Sequence, residues 1–145
     1  MNSYGTPSIE IRAIKPVCPL RIGWIMTEYN ETAAQTRIRV INVCIALKVM
    51  GYMSNFATYQ NILDKKYDIA IVGKAFSEND YNSIKLLKQH GKTVYCDLCE
   101  DIIGWPWVNE ILSLCDKVIC CSYMLQEKVK PVNPNTFVIE DAFEV

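Results

Sequence analysis

The stretch VYCDLCED, residues 94–101, sets two cysteines and three carboxylates within eight positions. Two chemistries suit such a spacing. Cys96 and Cys99 have the Cys-x-x-Cys separation of redox and metal-binding pairs, while Asp97, Glu100 and Asp101 could orient hydroxyl groups or take up a proton. If residues 93–98 form a strand, Cys96 and Cys99 stand ~10 Å apart along it and leave from opposite faces. A disulfide needs Cα atoms within ~7 Å. A redox Cys-x-x-Cys also normally opens a helix whose dipole lowers the thiol pKa, whereas neighbouring carboxylates raise it. Cys120 and Cys121 likewise point to opposite faces and supply no matching second pair. The cysteines therefore read as small buried hydrophobes, and the acids as the part that meets a ligand.

Other residues gather around those acids. Thr27 and Glu28 follow an apolar run at residues 21–26, and Arg37 and Arg39 open the helical pattern after it. Two arginines at a helix start oppose the dipole. They are either surface partners of Glu28 or Glu31, or forks that hold an anion together with free helix amides. Lys74 ends another apolar run and is a rim candidate. Trp105, in Trp105-Pro106-Trp107, is either an apolar wall or sugar-stacking platform beside the site, or packing for a helix start. His90, the only histidine, precedes Gly91 at a predicted helix end, where it complements the dipole. Histidine-based triads and histidine-bearing zinc centres therefore lack their central residue, and no metal or cofactor is expected.

The elements that must position these residues alternate in type. Strands are expected at 21–26, 54–59, 68–73, 93–98, 117–121 and 136–140. Helices are expected at 37–50, 80–90, 106–114 and 122–129, the first showing a stripe of Ile38, Ile41, Ile45 and Val49. Continuous apolar strands alternating with helices indicate a parallel sheet covered on both faces. The fold class is α/β: a Rossmann-like, doubly wound parallel sheet in three layers (α/β/α) of about six strands. Residues 1–19 form a lead-in and 20–145 the domain. In the strand order 3-2-1-4-5-6, the ligand crevice lies between the first strand and the strand ending at Asp97.

Composition narrows the function further. A net charge of −1, with basic residues scattered, gives no footprint for nucleic acid. Neither an apolar leader nor a run of ~20 apolar residues is present, so the chain reads as cytoplasmic, with reduced thiols. The glycines at 5, 23, 51, 73, 91 and 104 leave the loop after the first strand without any. That argues against dinucleotide binding, and no Walker A loop or nucleophile elbow is present.

The order of motifs resembles the N-terminal half of GT-B glycosyltransferases of the family 4 (group 1) kind over about residues 20–145. The resemblance rests on Thr36-Arg37-Ile38-Arg39-Val40, on residues 47–52 and 67–74, on Gly91 to Asp101, on Cys115 to Ser122, and on the closing Phe137-Val138-Ile139-Glu140-Asp141-Ala142. The departures are Glu140 and Ala142 in place of a usual Pro and Gly, no Gly-Gly pair in the first loop, and no suitably placed histidine. The resemblance implies an acceptor-side domain, a missing C-terminal donor domain, and hence a partial chain inactive alone. It implies transfer of a sugar from a nucleotide-sugar to a carbohydrate or lipid-linked acceptor, the latter bringing peripheral contact with a membrane. Asp97 and Asp101 would be the catalytic carboxylates; Arg37, Arg39, Thr27, Glu28, Lys74, Glu100 and Trp105 would bind substrate. The competing readings are a standalone Rossmann-like binding module and a redox protein using Cys96 and Cys99.

Overall fold

The computed structural model of the protein describes residues 20–26, 36–64 and 67–141, with only the backbone described at Thr36 and Arg37. Six parallel strands form one sheet: β1 (Arg21–Met26), β2 (Met53–Phe56), β3 (Ile69–Gly73), β4 (Thr93–Leu98), β5 (Lys117–Cys120) and β6 (Thr136–Val138). The helices are α1 (Asn42–Val49), entered through a π-helical segment at Thr36–Ile41, then α2 (Tyr59–Asp64), α3 (Glu78–Gln89), α4 (Val108–Leu114) and α5 (Tyr123–Val129). This is a three-layer, Rossmann-like α/β fold.

The strand order is β2-β1-β3-β4-β5-β6, which corrects the expected 3-2-1-4-5-6. The register sets Met26 beside Gly73 and Gly73 beside Asp97. A whole strand therefore separates β1 from the strand carrying the acids. The chain reverses direction between β1 and β3, and this is where the topological switch point falls.

Right-handed crossovers then divide the helices between the two faces. From β2 onward every connection runs the same way across the sheet, so α2 to α5 share one face. Ile62, Ile84, Leu87, Ile111, Leu112, Leu125 and Val129 pack there against Val72, Val94, Cys96, Val118 and Cys120. Only the β1–β2 connection runs the other way. Its Val40 and Cys44 cover Ile22, Trp24, Ile71 and Ile119. Among the described residues the second face is thus covered by one helical segment, not by the equal layer that the sequence pattern suggests.

That segment also buries a different stripe from the expected one. Val40 and Cys44 are buried, whereas Ile45 and Val49 are 55% and 60% exposed. A π-turn takes an extra residue per turn, which moves every later side chain around the axis relative to a uniform 3.6-residue period. The expected strand at 54–59 ends early at Phe56, because the Thr58 hydroxyl accepts from the Asn61 amide and Tyr59 opens α2, a helix the pattern did not indicate. Helix α3 starts two residues before the expected Asp80. There Ser77 caps Asp80 and Asp80 accepts from the Ser77 amide, a reciprocal capping box. His90 lies at the end of α3 as expected, exposed, with Nδ1 2.9 Å from the Leu86 carbonyl oxygen.

Candidate functional site

The site is built at the carboxyl ends of β3 and β4. Along β4 the side chains alternate: Val94, Cys96 and Leu98 enter the core on the four-helix side, and Tyr95 packs on the opposite face. The period of two carries Asp97 to the same side as Tyr95. Asp97 is only 6% exposed, and a buried carboxylate requires a partner.

The partner is Arg39, 8% exposed, from the π-helical segment. Its Nε donates to Asp97 Oδ2 at 2.9 Å and its Nη2 to Oδ1 at 2.5 Å, a bidentate fork. The remaining nitrogen, Nη1, donates to the Ile139 carbonyl at 3.3 Å and to Asp141 Oδ1. One guanidinium thus joins the first helical segment, β4 and the chain leaving β6. Burial opposes the charge on Arg39, but Asp97 and then Asp141 outweigh it and hold the guanidinium above its ordinary pKa. Burial raises the Asp97 carboxyl, and Arg39 pulls it back only in part. Two donors on one carboxylate favour a fully charged pair.

Asp97 stands between two hollows. On the single-helix side, a hollow of about 140 Å³ is walled by Trp24, Ile38, Val43, Ile119 and Ile139 around the Arg39 node. On the other side, a pocket of about 180 Å³ is lined by Lys74, Phe76, Cys99, Glu100 and Trp105, with Asp97 at its edge. Lys74 follows β3 in the left-handed backbone region at φ 55°, a conformation that costs a side-chain-bearing residue ~1–3 kcal/mol and concentrates at functional sites. Its Nζ lies 3.8 Å from Glu100 Oε1. Trp105 is 55% exposed and meets the Phe76 ring edge-on at 6.3 Å. Trp107, by contrast, packs on Tyr81 at 5.4 Å. The Trp-Pro-Trp segment therefore divides its two roles, one ring at a pocket and the other packing a helix start.

The candidates do not all come together. Asp97, Glu100, Lys74 and Trp105 share the pocket. Asp101 lies in a separate cleft, where it pairs with Lys128. The donors of Arg39 are taken by protein groups, so its fork closes on Asp97 and Asp141 and not on an external anion. Thr27 and Glu28 lie outside the described residues, as does the side chain of Arg37.

Cys96 and Cys99 are not a pair: Cys96 is buried in the four-helix core, and Cys99 borders the pocket. The Cys99 thiol is pushed up to about 11 by burial, then by Asp97 and Glu100. Among the described residues no group of three or more His, Cys, Asp or Glu side chains is placed to hold a metal ion. No helix among them is long and apolar enough to cross a membrane.

Sequence reasoning did not find Asp141 as the second partner of Arg39. Its signal is its place immediately past the last strand. Nor did it find the wide hollows of about 390 and 380 Å³ near the ends of β1 and β2, which share Met26, Ala57 and Thr58. No protein-family model matches the sequence, and no curated protein matches it.

Proposed function

We propose that the chain is the acceptor-side domain of a GT-B-like glycosyltransferase, taking a carbohydrate or lipid-linked saccharide at the carboxyl ends of β3 and β4. The observation that carries this reading is the pocket in which half-exposed Trp105 faces the same space as Lys74 and Glu100. An aromatic surface beside a few charged hydrogen-bonding groups suits a saccharide, which presents an apolar ring face and a rim of hydroxyls. In this reading Trp105 stacks on a sugar ring, Lys74 and Glu100 bind hydroxyls, and Asp97 is a positioning residue held by Arg39. The order of motifs along the chain supports the same assignment, with a nucleotide-sugar as donor.

A second reading, a binding module without catalysis, is favoured by one specific observation. Both oxygens of Asp97 are engaged by Arg39, which ties up the carboxylate best placed to act as a base.

Saturation-transfer NMR with neutral and acidic oligosaccharides tests the binding step. Saccharide protons should receive saturation from the wild-type protein and lose most of it with Trp105→Ala; no transfer from wild type to any saccharide would overturn both readings. Incubating the encoded protein with radiolabelled nucleotide-sugars and a bound saccharide then separates the two. Label in the saccharide supports the transferase, and binding without label supports the module.

A further inference from the structure

Six cysteines fall among the described residues, and they divide sharply. Cys44, Cys96, Cys115 and Cys120 are 5% exposed or less and packed in the cores. Cys99 and Cys121 are partly exposed, and both line one surface cleft of about 120 Å³ with Asp101, Ser122 and Lys128. They directly follow two neighbouring strands, β4 and β5, and lie 22 positions apart.

The sheet sets these two side by side. The last register pair of β4 and β5 is Leu98 with Cys120. The Cys121 amide donates to the Leu98 carbonyl at 3.3 Å, which completes that last pair. Residues 99 and 121 are the next step of the same register, just past the two strand ends. Neighbouring strands lie ~4.8 Å apart, and disulfides form across Cα separations of about 4.4–6.8 Å. The Cys121 thiol already donates to the Cys99 carbonyl oxygen at 3.4 Å. The Cys121 sulfur thus already lies against the backbone of Cys99.

We propose that Cys99 and Cys121 form a reversible disulfide that ties the end of β4 to the turn between β5 and α5. The oxidant is a low-molecular-weight disulfide of the glutathione class. The Cys121 thiolate attacks one sulfur of that disulfide, an S–S bond breaks, and one thiolate leaves. Cys99 sulfur then attacks the Cys121 sulfur of the mixed disulfide; the second small thiol leaves with the Cys99 proton. The protein loses two electrons and the small disulfide gains them. Cys99 is placed second because burial, then Asp97 and Glu100, push its thiol up. The bridge does not depend on what the Trp105 pocket binds.

The test is to equilibrate the full chain with oxidised and reduced glutathione, alkylate the remaining thiols, and map links by fragmentation mass spectrometry. The expected result is one linked peptide joining Cys99 to Cys121, lighter by two hydrogens, with two fewer free thiols, and fully reversed by dithiothreitol. Cys99→Ser and Cys121→Ser should each abolish the link, and Cys120→Ala should retain it. The wild-type map stands even where a variant fails to fold. A glutathione adduct on Cys121 without a link, a link through any other cysteine, or no oxidation at all would overturn the proposal.

Discussion

Arg39 and Asp97 stand 58 positions apart and meet as a bidentate pair in which neither side chain is more than 7% exposed. The pair fastens a helical entry to the strand that carries the pocket acids, so the geometry of the site depends on a contact remote from it in sequence. Asp141 completes the node from a half-exposed position.

Breaking such a pair strands a charge in a dry environment. Arg39→Ala and Asp97→Ala are each expected to cost ~3–5 kcal/mol, and the double change to Met and Leu distinctly less than their sum. Asp141→Ala should cost no more than ~1 kcal/mol, because its side chain is half in water. Urea midpoints at constant slope measure all four; equal losses for Asp141→Ala and Asp97→Ala would refute this ranking.

Gly23, in the middle of β1, faces the four-helix side with no room to spare. A Cβ built there falls 2.2 Å from Ile62 Cδ1 and 3.1 Å from the Tyr67 ring. Gly23→Ala should therefore destabilise the fold by ~1–3 kcal/mol. Adding Ile62→Val, which removes the clashing methyl, should recover part of that loss in thermal unfolding. A further loss in the double variant would mean that the backbone, and not Ile62, sets the limit.

Asp116 governs part of the acid response. Burial alone would raise its carboxyl, but the Lys88 ammonium at 2.5 Å and the Val94 amide at 2.8 Å hold it below the ordinary value of 3.8. A carboxyl lowered in the folded state stabilises above its unfolded pKa and loses that contribution as pH falls through the folded one. Stability of the wild type should thus decline from about pH 4 downward, with a shallower decline in Asp116→Asn. Urea midpoints across that range measure the difference, and parallel profiles would refute it.

Strand β4 was legible from the sequence to the residue, because a β-rich apolar run bounded by Gly91 and Cys99 has one favourable periodicity. The strand order was not. Local pattern is the same for 3-2-1-4-5-6 and for the observed order, since the choice depends on which edges pair after each helix has formed. The face of α1 was misread for a related reason: nothing in Thr36 to Ile41 announces a π-turn, and apolar residues surround that helix. At the site, the place of Asp97 and Glu100 at the end of β4 followed from position alone, whereas position left Trp105 open between a pocket wall and helix packing. The Arg39–Asp141 contact could not be read, because it joins two segments that share no local pattern.

Arg39 and Asp141 lie 102 positions apart. On a ribosome adding about 5–20 residues per second, Asp141 is made about 5–20 s after Arg39. Asp97 is made well before Asp141, and closing the longer loop costs less than ~0.6 kcal/mol beyond closing the shorter one. During synthesis the arginine therefore meets its first acid early and its second only after β6 has been made. The nascent chain spends those seconds with the guanidinium half-claimed, and the segment after β6 is the piece that seals it.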